Sequence, residues 1–147
     1  MSERLAHLAQ ITGRAVATAE SLTGGRISCL LGASPDSSRW FRGAVVAYAR
    51  DVKYELLGVP PGPVVSEVSA RAMAGRTAEL LGADTVIAVT GAGGPDPQDG
   101  QDPGTVWFAL YDRGTVRAEK LVFTGEPDAV VEQTVEHALA LLSGCME

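Results

Sequence analysis

The chain has 147 residues, room for one sizeable core but not for two independent ones, and its 46% hydrophobic, 20% charged and 5% aromatic content is globular rather than disordered, fibrous or coiled. Eighteen acidic against 12 basic residues give a net charge of −6, which works against partners whose affinity rests on neutralising phosphate backbones, so no nucleic-acid partner is expected. No apolar run reaches the roughly 18 residues that cross a bilayer, and the opening MSERLAHLAQ has no signal-peptide core, so a cytoplasmic protein with no membrane partner is expected.

In chain order, Leu5, Leu8 and Ile11 recur at helical spacing between residues 3 and 12, and Gly13 is a stop. Ala15 to Ala19 reads as a short buried strand running into Glu20-Ser21-Leu22-Thr23-Gly24-Gly25, a glycine-rich turn that opens a helix over Arg26 to Leu31. After the loop 32–38, Ala44 to Tyr48 reads as a second buried strand, and Asp51 to Leu57 as a short helix ending at Gly58. Two prolines and Gly62 break the chain before Val64-Val65. Ser66 is then an N-cap, with Glu67 in the first turn of a helix that runs to Leu81 and stops at Gly82.

Val86 to Val89 forms a third buried strand and leads into a second glycine turn, Thr90-Gly91-Ala92-Gly93-Gly94-Pro95. Residues 96 to 103 read as an exposed loop. The strands Thr105 to Tyr111 and Thr115 to Phe123 follow, joined by the hairpin Asp112-Arg113-Gly114. The last helix starts at Pro127 with an apolar face of Val131, Val135, Ala138 with Leu139, and Leu142. Helices interleaved with near-continuous apolar strands predict a three-layer α/β/α fold with a mixed, mostly parallel sheet.

Cys29 and Cys145 sit far apart without a metal-binding spacing and read as reduced thiols. His7 and His137 both fall in terminal helical patterns, which weakens any serine-histidine-aspartate reading. Ligands of open α/β sheets settle at the carboxyl ends of strands, so both glycine turns are candidates, although neither matches a dinucleotide fingerprint or a P-loop. Ser21 stands just after a strand among glycines that let a substrate approach the backbone, where an acyl-transfer nucleophile would be placed. Lys53 is the candidate base if burial or a neighbouring positive charge depresses its pKa; a surface lysine is the commoner outcome. Tyr48, by itself, reads as a core aromatic at the end of its strand.

Three stretches in one order carry a resemblance: T-A-E-S-L-T-G-G at 18 to 25, G-A-V-V-A-Y followed by Lys53 at 43 to 53, and A-V-T-G-A-G-G-P at 88 to 95. With K-Y-E-L-L-G-V, V-S-E-V-S-A-R-A-M-A and P-G-T-V-W-F-A-L between and after them, the chain resembles the C-terminal domain of the competence-damage-inducible protein CinA over nearly its whole length. That domain is similar to the stand-alone nicotinamide-nucleotide amidohydrolases, which convert nicotinamide mononucleotide to the nicotinic acid form and release ammonia. The resemblance implies one such domain over residues 1–147, a small-molecule nucleotide as substrate, no cofactor, no metal, and assembly into homo-oligomers.

Carried over by motif, Ser21 is the nucleophile, Lys53 its general base and Tyr48 a hydroxyl that positions or relays the proton. Backbone N–H groups around Thr23, Gly24 and Gly25 either face the oxyanion or hold the substrate phosphate, and Thr90, Gly91 and Gly94 hold the other end of the nucleotide. Glu20, acting through water, is the alternative base. Two features depart from the family pattern: the second turn reads T-G-A-G-G-P rather than T-G-I-A-G-P, and Pro127 and Val131 fall where relatives carry arginines. These departures motivate the other expectation, a nucleotide-binding or regulatory module without turnover.

Overall fold

The structure, a computed structural model, describes residues 1–147. Its strands are β1 (Val16–Glu20), β2 (Phe41–Val46), β3 (Thr85–Gly91), β4 (Thr105–Asp112) and β5 (Thr115–Val122). The helices are α1 (Ser2–Ile11), α2 (Arg26–Gly32), α3 (Arg50–Glu55), α4 (Glu67–Leu81) and α5 (Pro127–Met146), with a single 3-10 turn at Ser37–Arg39. The sheet runs in the order β2-β1-β3-β4-β5. β2, β1 and β3 are parallel, and β4 and β5 are added antiparallel, so the predicted three-layer mixed sheet is the observed one.

Alternate residues of the strands feed two cores. Val16, Ile87, Val89, Val106, Phe108 and Leu110 face α1, α2 and α5. Ala17, Ala19, Val86, Ala88 and Ala109 face α4, which answers with Ala70, Met73, Ala74 and Ala78. Small residues on both sides of that second interface let the helix approach the sheet closely, which suits a chain with few aromatics. β1 and β3 are buried along their whole length, as strands flanked and covered on both faces must be.

Three sequence expectations are corrected. β2 runs over Phe41–Val46, not 44–48, and is only half-buried because it is an edge strand paired on one side alone. Ile11 is 64% exposed; α1 buries Leu5, Ala6, Leu8 and Ala9 instead. In α5 Val135, Ala138, Leu139 and Leu142 are buried as expected, but Val130 and Thr134 complete the inward face and Val131 is only partly buried at its edge. Thr134 hides on that face by donating its hydroxyl to the Val130 carbonyl at 2.7 Å, so its polarity masked how far the buried face extends. Both cysteines are free thiols, and no helix is long and apolar enough to cross a membrane.

Candidate active site

The parallel strands β2, β1 and β3 finish on one edge of the sheet, and the chain leaves β1 toward β2 before crossing back over β1 to reach β3. The gap between the ends of β1 and β3 is therefore the topological switch point of the sheet, the place where open α/β folds collect ligands. A cavity of about 430 Å³ opens there. Ser21 and Leu22 line it from the end of β1, Tyr48 and Lys53 from beyond β2, and Gly91, Gly93 and Gly94 from the turn after β3. Asp96, Pro97 and Gln98 follow from the next loop, and Pro127 and Val131 close it from the first turns of α5.

Glu20 explains how Ser21 is aimed. Its fully buried carboxylate accepts the hydroxyls of Thr18 (3.2 Å) and Thr23 (2.7 Å) and the backbone N–H groups of Ile27 (3.0 Å) and Ser28 (2.8 Å). The last residue of β1 is thereby tied to the first turn of α2, across a turn in which Gly25 holds φ +102° at the N-cap, a region other residues rarely adopt. Four donors use the accepting capacity of a carboxylate. Glu20 therefore has no lone pair left for a water, which removes it as the alternative base.

The same geometry accounts for the rest of the first turn. The Thr23 hydroxyl is spent on Glu20, the Gly24 N–H donates to the Ser21 carbonyl at 3.0 Å, and none of Thr23, Gly24 and Gly25 lines the cavity. The anion position at the start of α2 is filled by the protein's own carboxylate. At the second turn Thr90 is buried with its hydroxyl on the Val64 carbonyl at 2.7 Å, while Gly91 and Gly94 do reach the cavity wall. A Cβ on Gly91 would stand 2.8 Å from Val106 Cγ2 and 3.2 Å from Leu22 Cδ1, so the two turns meet only because this position has no side chain.

Lys53 is 3% exposed. Leu57 and Val59, both in the core beneath α4, draw the end of α3 inward, and the Val59 N–H donates to the Lys53 carbonyl at 3.1 Å. Burial pushes the amine down to about 8, Arg50 one turn earlier adds repulsion, and Asp99 opposes both. Tyr48, by contrast, is 73% exposed at the cavity rim and is no core aromatic. β2 ends at Val46, and buried Ala47, whose N–H donates to the Glu20 carbonyl at 2.8 Å, takes the inward position that would have been the tyrosine's.

The structure thus gathers Ser21, Tyr48, Lys53, Gly91 and Gly94 around one cavity and leaves Thr23, Gly24, Gly25 and Thr90 out of its lining. Sequence reasoning missed Arg50, Asp96, Gln98 and Asp99, all near the cavity. The stretch 96–103 read as an exposed polar loop; its Asp-Gly at 99–100 signalled a turn but not that the turn folds back onto α3. Burial of Asp99 works against its charge, yet the Arg50 guanidinium and the Val64 and Val65 N–H groups hold the carboxyl below its usual range.

Fold and cavity define a three-layer α/β domain whose candidate catalytic side chains converge at the carboxyl ends of parallel strands. The CinA C-terminal domain family matches residues 1–146, and the chain belongs to that family. It is 42% identical over 137 residues to a CinA-like protein of Geobacter sp. (strain M21), covering 88% of this chain and 33% of that protein. It is 40% identical over 139 residues to a CinA-like protein of Mycobacterium tuberculosis, covering 90% and 32%. The chain spans about a third of the length of these curated relatives. Among solved structures, a CinA superfamily protein from Klebsiella pneumoniae superposes with a TM-score of 0.94 at 34% identity, covering 99% of this chain and 94% of that one. The competence or damage-inducible protein from Enterobacter asburiae gives 0.95 at 32% identity, covering 99% and 96%.

Proposed function

We propose that the cavity hydrolyses the carboxamide of nicotinamide mononucleotide, giving nicotinic acid mononucleotide and ammonia. The observation that carries this reading is Lys53: a buried amine, lowered to about 8 by desolvation and Arg50, that lines the same cavity as Ser21 at the end of β1. A lysine so placed is unprotonated in a useful fraction near neutral pH and is able to act as a base.

In this mechanism the neutral Lys53 amine takes the Ser21 proton as Oγ attacks the carboxamide carbon. The tetrahedral oxyanion is met by the backbone N–H of Leu22, the one residue of the turn after Ser21 that lines the cavity, and the Lys53 ammonium returns its proton to the departing nitrogen, which leaves as ammonia. Water then attacks the acyl-serine while Lys53 accepts its proton, and Lys53 hands that proton to Ser21 Oγ as the acyl–oxygen bond breaks and the acid is released. Tyr48, at the rim, orients the substrate or relays the proton. The nucleotide extends toward Gly91 and Gly94.

A second reading rests on the rest of the lining. Pro127 and Val131 bring no charge to the cavity, Asp96 brings a negative one, and Lys53 is the only cationic side chain lining it. A phosphate there finds few partners, which favours a binding or regulatory module without turnover. Ammonia release from nicotinamide mononucleotide, measured beside a calorimetric titration, separates the two. Turnover lost in Ser21→Ala supports the hydrolase, whereas binding with no ammonia above that control, up to millimolar substrate, overturns it.

A further inference from the structure

Three segments around the cavity share no secondary structure: the first turn of α3, the bend at 62–65 before α4, and the loop after β3. Asp99 joins them. Its Oδ2 accepts the backbone N–H groups of Val64 at 2.9 Å and Val65 at 3.1 Å, and its Oδ1 accepts Arg50 Nη2 at 2.9 Å. Arg50 Nη1 in turn donates to Tyr54 Oη and the Gly62 carbonyl, both at 3.2 Å. Val64 is gripped from the other side, its carbonyl accepting the Thr90 hydroxyl at 2.7 Å. A continuous chain of contacts thus runs from the end of β3 through Val64, Asp99 and Arg50 to the turn that carries Lys53.

Three of the other arginine pairs, Arg4–Glu147, Arg71–Glu67 and Arg76–Glu79, have both partners open to solvent, where ion pairs contribute little. The fourth, Arg14–Asp112, is largely covered but lies away from the residues that line the cavity. The Asp99 side chain is largely covered, and its two backbone donors fix the carboxylate in place before Arg50 is added. We propose that Arg50 and Asp99 form a positioning pair that fixes the first turn of α3, and with it Lys53, against the cavity. This rests on the reading of Lys53 as the base.

The pair has an electrical consequence that mere bracing would lack. Arg50 disfavours the Lys53 ammonium and Asp99 favours it, so removing one or the other pushes the amine in opposite directions. The remaining charged or titratable groups near it are Asp51 and Glu55 on α3, Tyr54, which is engaged by Arg50, Tyr48 and Asp96 on the cavity wall, and Glu20, whose carboxylate is taken up by α2. α5 contributes only Pro127 and Val131 there. Of these only Tyr54 loses a partner when Arg50 is replaced, and its hydroxyl still donates to the Gly62 carbonyl.

Lysine occurs only at 53 and 120, so side-chain NMR of the full-length protein labelled at lysine Cε resolves two titrations, and Lys53→Arg identifies which is which. The wild-type Lys53 midpoint is expected near 8. Arg50→Gln raises it, Asp99→Asn lowers it, the double variant falls between, and the pH limb of ammonia release moves in step. Equal midpoints, or shifts in the same direction, overturn the positioning pair whatever the activity does. Opposite shifts with an unmoved activity limb uphold the pair and instead sink Lys53 as the base. Should Asp99→Asn fail to fold, Arg50→Gln is compared with Arg50→Lys, which keeps the charge but not the fork. A midpoint raised by Gln and returned by Lys supports the proposal, and no difference among wild type and the two variants defeats it.

Discussion

Glu20 accepts the Thr23 hydroxyl at 2.7 Å, closing the glycine turn from beneath while the residue between β1 and that turn, Ser21, is left facing the cavity. A carboxylate next to a candidate nucleophile invites a catalytic role, but this one is structural: it is the internal anion that satisfies the first N–H groups of α2. Glu20→Ala strands two backbone donors and two hydroxyls in a buried site, so a loss of about 2–4 kcal/mol is expected from urea unfolding. Glu20→Gln keeps one acceptor oxygen and falls between. Equal stability of Glu20→Ala and the parent chain would contradict this role.

Lys53 governs the pH dependence of turnover. With its amine near 8, kcat/KM for ammonia release rises with pH along a limb centred there, since the protonated form cannot take the Ser21 proton. Lys53→Arg stays protonated throughout the accessible range and abolishes turnover with the fold intact. A Lys53→Arg enzyme with near-normal rate and the same limb would exclude the serine-lysine chemistry.

The same amine makes folding pH-dependent in a predictable direction. Its folded value of about 8 lies below the ordinary 10.5, so between these two values the unfolded chain holds more protons and this group makes stability rise with pH. Below 8 the full cost of burying a charge is present. Lys53→Met removes that cost, so the variant gains stability over the parent chain at about pH 7 and loses the advantage by about pH 10. Paired urea melts at the two pH values test this, and a gain that is constant with pH would speak against a depressed lysine.

Tyr48 separates activity from stability. Being mostly exposed at the rim, its hydroxyl supports no core contact, and Tyr48→Phe should leave unfolding within about 0.5 kcal/mol of the parent chain. Ammonia release should fall about ten- to a thousand-fold, each tenfold being ~1.4 kcal/mol in the barrier. An unchanged rate would remove the tyrosine from the mechanism.

Hydrophobic periodicity and glycine punctuation were enough to determine the alternation of strands and helices, the layered mixed sheet, and the placing of Ser21 and Gly91 at strand ends, because those features follow from local conformational preference and from the need to bury apolar runs. Ser21, Tyr48 and Lys53 were joined into one set only by the resemblance that their ordered motifs carry; spacing by itself left Lys53 a surface lysine and Tyr48 a core aromatic. Burial of Lys53, exposure of Tyr48 and the inward place of Thr134 on α5 were not legible, since each depends on which neighbour occupies a shared volume: Ala47 inside Tyr48, Leu57 and Val59 beneath Lys53, Thr134 folded onto its own helix. Tertiary structure alone decided that Glu20 is consumed as a cap and that Asp99, from a loop with no periodic signal, reaches Arg50 across 49 residues. Hydrogen-bond partners so far apart in sequence are selected by chain topology, and no local pattern encodes them.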